Sequence, residues 1–348
     1  MSRETVDALV LLGLERDDAQ RAVDEDKVAL ALVGPLLLRD ATLTVVEAAE
    51  RSGMPVDYLV ARDRALGVPA DAGYTEAEAE ELAPLRDLLQ LLSPEAVLRN
   101  MRNDAQALTR IAMSNLQLVN TEVAEPLRRE GGGDIAVALA LAEAARSLLP
   151  NSAPLIASSF RRILTHLVST EIVAAGTRAV TGDVPVAVGF VDVVGYTSLS
   201  ARIDPEGLDE VLEAFEALCY EIADAHENVQ LVKFLGDAAM YVGTDATSVA
   251  ATLLEIVTEP EEGTPLEGSP MRGGMGWGPV LMRAGDYFGS PVNIAARLTD
   301  HARPGTVLAD ESMADQLDAF ATRRVPPQRL RGLGFRRPLR VRFPREEG

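Results

Sequence analysis

The sequence predicts an α+β protein, a helical first half followed by a mixed sheet, and three observations carry that reading. Residues 1 to about 170 place apolar side chains almost throughout at helical spacing, as in Leu85, Leu88, Leu89 and Leu92, which follow i, i+3, i+4, i+7. A cluster of breakers, Thr181-Gly182-Asp183-Val184-Pro185, then interrupts the pattern. After it, short β-branched runs alternate with helical ones in the order β-α-β-β-α-β, which is the ferredoxin-like arrangement. The domain organisation expected is an all-helical domain over 1–170, a linker over 171–184 and a second domain over 185–348.

In the first half, Ile135 to Leu149 is an Ala/Leu-rich helix entered through Gly131-Gly132-Gly133 and stopped by Pro150. A last helix runs from Pro154 to about Ala175 and leads toward the second half. There, Val186 to Val191 forms a strand, and Pro205 to His226 a helix with Leu208, Val211, Leu212, Phe215, Cys219 and Ile222 on one face. Val229–Leu235 and Ala238–Val242 are strands joined through Gly236-Asp237, a hairpin signal. Asp245–Val257 is a helix, 259–270 a Pro/Gly/Glu loop, Arg272–Val280 holds a Gly-rich strand and Ser290–His301 a helix. Strands near 306–309, 321–331 and 339–343 complete the chain.

Composition narrows the function classes. The chain has 348 residues, is 47% hydrophobic and carries a net charge of −20, which suits a soluble cytoplasmic protein and disfavours nucleic-acid binding. Any site for a polyanion must therefore be locally basic or neutralised by metal. The single Cys219 falls on an apolar helical face, where an inert thiol is expected. The N-terminus has acids where a signal peptide would be basic, and the longest apolar run, Val28 to Leu38, is too short to span a bilayer.

Particular residues carry the chemistry. Only two of the 33 basic residues are lysines, Lys27 and Lys233, and Lys233 sits in an apolar strand just before Gly236-Asp237. An ammonium is a compact point donor that arginine does not replace. Asp192 ends the first strand and Asp237 lies in the hairpin turn, so a β-α-β-β sheet brings two carboxylates to one edge. Mg²⁺ is commonly held by one or two carboxylates plus substrate phosphates. Two ions about 3.5–4 Å apart can activate an attacking oxygen and neutralise a leaving one. Taken alone, Gly-Asp in a hairpin is ordinary turn chemistry. Asn293 and Arg297 share a helix face at i, i+4; Asn can orient a sugar oxygen and Arg can stabilise charge on a phosphate in flight. A polar surface face is the plainer reading of that pair.

Together these residues resemble the class III nucleotidyl cyclases, over about residues 185–345. The resemblance implies that Asp192 and Asp237 hold two Mg²⁺ or Mn²⁺ ions, that Lys233 and Asp286 read the purine, that Asn293 orients the ribose and that Arg297 acts on the transition state. It places Arg272 near the site, and Arg331 where the family usually has a phosphate-binding Lys, a departure that keeps the charge. Gly276-Trp277 departs from the His-Thr or His-Ser common before Gly278. Adenine presents an acceptor at N1 and a donor at N6, which complement a Lys donor and an Asp acceptor; guanine presents the reverse, and a mispaired buried polar group costs about 1–3 kcal/mol. ATP is thus the expected substrate, with 3′,5′-cyclic AMP and pyrophosphate as products. Family sites form at a dimer interface, with the two aspartates from one chain and Lys233, Asp286, Asn293 and Arg297 from the other. A homodimer is therefore implied. The alternative is a catalytically silent or autoinhibited nucleotide-binding signalling protein.

The helical half resembles, by its architecture and its 42–69 segment, the N-terminal regulatory domains of soluble actinobacterial cyclases, some of which are autoinhibited and pH-responsive. That segment has helix-turn-helix spacing around Gly53. Asp57, Asp63 and the acidic chain stand against DNA binding, and a structural helical pair is expected. His166 is the sole histidine of residues 1–180, so it is the candidate for a pH switch, against the plainer reading of an ordinary surface histidine. An unchanged activity–pH profile in His166→Ala contradicts the switch.

Overall fold

The computed structural model describes residues 2–11, 13–25, 27–28, 31, 41–69, 72–169, 185–258 and 263–344. The expected linker at 171–184 lies outside the described residues. The chain divides into two compact units, Met1–Phe160 and Arg161–Gly348.

The first unit is helical: α1 (Ser2–Leu11), α2 (Arg16–Asp24), α3 (Val45–Ser52), α4 (Val56–Leu66), α5 (Glu76–Glu81), α6 (Ala83–Leu91), α7 (Pro94–Val119), α8 (Glu125–Arg129) and the start of α9 (Asp134–Ser169). Its helix starts are written locally. Thr44 and Glu47 form a capping box for α3, as Thr75 and Glu78 do for α5. The helix-turn-helix segment forms two helices, α3 and α4, that share one apolar cluster. Gly53 closes α3 in the left-handed conformation, and Asp63 on α4 is buried, accepting a hydrogen bond from the Tyr74 hydroxyl. Around it Leu43, Ala48, Met54, Tyr58, Leu59 and Leu82 form one cluster, with Leu85 and Leu89 packed against it. Val6, Leu9, Leu14, Ala19, Ala22, Val28 and Ala138 form another.

Helix α9 corrects the reading of Pro150 as a stop: the helix is continuous through it. Proline's fixed φ is itself helical. What it forfeits is one N–H bond and room for the carbonyl four residues back, and a 36-residue helix absorbs both.

The second unit contains β1 (Pro185–Val193), α10 (Tyr196–Leu199), α11 (Pro205–Ala225), β2 (Val229–Phe234), β3 (Ala238–Gly243), α12 (Ala246–Thr258), β4 (Met271–Pro279), β5 (Leu281–Arg283), β6 (Asp286–Phe288), α13 (Ser290–His301), β7 (Val307–Ala309), β8 (Ala321–Arg324), β9 (Gln328–Leu330), β10 (Gly334–Arg336) and β11 (Leu339–Arg342). Seven strands form one sheet in the order β2-β3-β1-β4-β7-β11-β8. Its first four strands keep the ferredoxin-like order, with β1 antiparallel to both β3 and β4. Helices α11 and α12 cover one face, where Phe215, Cys219, Leu253 and Ile256 pack on Val191, Tyr241 and Met275. Helix α13 lies on the other face, against Val188, Phe190 and Met240 through Ala295. The strand expected over 321–331 is two strands, β8 and β9, because Pro326-Pro327 can supply no ladder donors.

Candidate active site

The α13 face of the sheet collects the chemistry. Asp192 lies one residue from the end of β1, opposite Ala238 of β3 and Arg272 of β4. Arg272 grips it with a fork: Nε donates to Oδ1 at 2.7 Å and Nη2 to Oδ2 at 2.9 Å. The third nitrogen, Nη1, donates at 2.7 Å to the Asp300 carbonyl in the last turn of α13. Asp237 arrives from the β2–β3 turn, where the Val193 N–H donates to its carbonyl at 3.1 Å. The convergence expected of the two carboxylates is therefore found. Burial pushes the Asp237 carboxyl above the usual range, and the charge of Asp192 adds to that push.

This donor set fits a hard divalent cation. Both partners are carboxylates, and the charge of Asp192 disfavours that of Asp237, which a cation between them would relieve. Among the described residues there is no group of three or more His, Cys, Asp or Glu suited to a metal. The pair therefore suits an ion such as Mg²⁺, which completes its shell with water and substrate phosphate, rather than an all-protein cage.

A second group is Lys233 with Asp286, which form an ion pair. The β2 ladder slips between Leu231 and Lys233, leaving Lys233 opposite Met240. Asp286 opens β6, and its Oδ1 also accepts from the Tyr287 N–H at 2.9 Å. The β5–β6 hairpin that positions Asp286 escaped the sequence reading. Its signal is the two-residue loop Ala284-Gly285, with φ of 56° and 74°, the backbone of a tight primed turn.

The third group rides on α13, which carries Asn293 and Arg297 exposed on its surface. The glycines of β4 let that helix lie down on the strand. A Cβ at Gly274 would meet the Thr299 nitrogen at 2.3 Å, and one at Gly276 would meet the Pro291 carbonyl oxygen at 2.6 Å. Gly276, the departure noted from the family's histidine, is thus the residue on which the start of α13 rests. Arg297 Nη1 reaches Asp300 Oδ2 at 3.2 Å. Asp300 was missed because nothing in its spacing singles it out; only the fold shows that it meets both Arg272 and Arg297. Arg331 is exposed in the turn after β9, next to Leu330, which is buried beside Ile294 and Leu298 of α13.

Within one chain Asp300 links Arg272 and Arg297, while Lys233 and Asp286 pair with each other. Among the described residues no hydrogen bond or ion pair joins Lys233 or Asp286 to Asp192, Asp237 or Arg297. Two clefts of this unit, one lined by Glu311, Arg324 and Arg337 and one by Leu218, Glu221 and Glu255, include none of the eight expected site residues.

Residues 181–339 match the family described as the adenylate and guanylate cyclase catalytic domain. The chain is 30% identical over 313 residues to a pH-sensitive adenylate cyclase of Mycobacterium tuberculosis, covering 85% of this chain and 77% of that one. It is 33% identical over 300 residues to an adenylate cyclase of Streptomyces coelicolor, covering 84% and 76%. Both matches cover more of the chain than the second unit can supply, so the likeness reaches into the helical half. Among solved structures, the adenylyl cyclase CyaB from P. aeruginosa is 20% identical, with a TM-score of 0.42, covering 47% of this chain and 96% of that one. Among the described residues no helix is long and apolar enough to cross a membrane. Matched by that family model over residues 181–339 and by named relatives along most of its length, the chain belongs to the class III adenylate and guanylate cyclase family.

Proposed function

We propose that the protein is a cytoplasmic adenylate cyclase whose active sites are shared between two copies of the chain. The ribose 3′-oxygen attacks the α-phosphorus of ATP, the bond from that phosphorus to the oxygen bridging toward the β-phosphorus breaks, and pyrophosphate leaves. The hydroxyl proton passes to solvent, and 3′,5′-cyclic AMP remains. The observation that carries the substrate is the Lys233–Asp286 pair, a donor and an acceptor held side by side. They complement adenine N1 and N6 and present the wrong partners to guanine.

Asp192 and Asp237 would hold two Mg²⁺ or Mn²⁺ ions, which would supply activation of the attacking oxygen and neutralisation of the leaving one. Asn293 orients the ribose, Arg297 meets the charge that develops on the phosphate, and Arg272 and Arg331 bind the phosphate tail. The resemblance to the class III cyclases, whose sites form at a dimer interface, supports a homodimer in which each copy offers half of two equivalent sites. Residues 1–170 act as the regulatory domain, joined by 171–184 to the catalytic domain at 185–348. The pH-sensitive relative supports a pH-responsive regulation, with His166, exposed on α9, as its candidate.

The test is purified full-length protein incubated with ATP or GTP and Mn²⁺ or Mg²⁺ across pH. Cyclic AMP from ATP is expected. No cyclic AMP under any of these conditions, and none with the N-terminal half removed, would refute the enzyme reading.

A further inference from the structure

The end of the chain reverses its overall charge. From Ala319 to Arg345 there are nine arginines and no acid, in a protein of net charge −20. The sheet gathers part of this run onto one patch. Arg340 of β11 lies directly opposite Arg323 of the edge strand β8, and Arg342 follows two residues along, on the same side of β11. Like charges placed directly across a ladder destabilise it. Among the described residues none of Arg303, Arg323, Arg340 or Arg342 has an ion-pair partner. The Nε of Arg340 is shielded from solvent and donates to nothing among those residues. The charge of Arg342, with burial and the charges of Arg323 and Arg303, holds the Arg340 guanidinium below its ordinary pKa, so each of these three cations lies within electrostatic reach of Arg340.

We propose that Arg303, Arg323, Arg340 and Arg342 form an anion site for a short polyphosphate, outside the residues assigned to catalysis. Guanidinium forks bind phosphate oxygens in pairs. Neighbouring strands are about 4.8 Å apart and alternate residues about 6.8 Å, so the patch matches two or three linked phosphates. Size also decides against larger partners. A nucleic acid or an anionic membrane would meet the field of the whole acidic chain, whereas a small ion inside a Debye length of about 8–10 Å feels mainly the local arginines. The ligand has two sources, free pyrophosphate or the triphosphate tail of a nucleotide. The site does not depend on the cyclase reading.

The experiment uses the full chain in EDTA, where no turnover occurs, with inorganic pyrophosphate as the probe. Binding is followed by calorimetry and by the melting temperature, which a ligand of the folded state raises. Wild type should bind and melt several degrees higher, on the order expected for a saturating ligand. R323S/R340S should bind at least about tenfold more weakly and lose the rise, while melting no lower than wild type without ligand, since like-charge repulsion is relieved. Arg303→Ser serves as a second, independent variant and should weaken binding alone. Asp237→Asn and Arg297→Ala should bind as wild type does. Displacement of pyrophosphate by ATP assigns the nucleotide tail, and failure of ATP to displace it assigns the free ion. Unchanged binding in R323S/R340S, or an equal loss in Arg297→Ala, overturns the proposal.

Discussion

If Lys233 and Asp286 read adenine, exchanging their chemistry must move the substrate preference. In the free chain they pair with each other, with side chains 33% and 28% exposed. Lys233→Glu with Asp286→Cys replaces a donor by an acceptor and removes the carboxylate acceptor, so both adenine contacts are mispaired. Each mispaired buried group costs about 1–3 kcal/mol, or about 2–6 kcal/mol together, and 1.4 kcal/mol is tenfold. The expected loss of kcat/KM for ATP therefore runs from about 30-fold to about 10⁴-fold, and the partial exposure of the pair places it toward the lower end, near 10²-fold. The assay is initial-rate kinetics with ATP and with GTP at fixed Mn²⁺. The ratio of ATP to GTP specificity should fall by at least the ATP loss, because guanine no longer faces wrong partners. Lys233→Arg should also lose activity, since a planar fork cannot take the place of a point donor in the same space. A double variant that keeps its ATP rate within about threefold, or that loses ATP and GTP use equally, would refute the purine-reader argument.

Three further outcomes follow from the geometry. Burial raises the Asp237 carboxyl, so its contribution to stability is fully present below the unfolded pKa of about 3.9 and is lost as pH rises through the folded value. Asp237→Asn, uncharged throughout, should melt above wild type near pH 7 and show no advantage near pH 3.5; a lower melting temperature at neutral pH contradicts the reading. Gly274→Ala drives a methyl into the backbone of α13 at Thr299. Because Arg297 rides on that helix, kcat should fall by about 10²-fold with near-native far-UV circular dichroism, and wild-type turnover would show that the helix need not sit where it does. Tyr74→Phe removes the hydroxyl that serves buried Asp63, while the Arg62 bond at 3.0 Å remains. Denaturant unfolding should show a loss of about 1–2 kcal/mol, and no loss would remove the buried pair from the account of the helical unit's stability.

Much of the second unit was legible because its signals are local. The 229–235 and 238–242 runs around Gly236-Asp237 became β2 and β3, and Ser290–His301 became α13 with the bounds expected. The approach of Asp192 and Asp237 was legible for the same reason, since strand order alone brings the end of β1 beside the β2–β3 turn. What stayed hidden depends on contacts between distant segments. The Arg272 fork joins Asp192 to the Asp300 carbonyl across 80 and 28 residues, and no spacing rule anticipates that. Short elements were also lost: β5 and β6 have three residues each, too few for alternation to show. Pro150 misled for the opposite reason. A strong local signal was overridden by the long helix on either side of it.

The central claim, an ATP-cyclising site divided between two copies of the chain, is tested most directly by mixing two dead variants. Asp237→Asn should spoil the metal half and Arg297→Ala the transition-state half, each lowering cyclic AMP formation by about 10²–10³-fold. In an equal mixture about half of the dimers carry one variant of each kind, and each of those has one fully intact site, so cyclic AMP formation should recover to about a quarter of wild type. A mixture that remains as inactive as its components would contradict the account.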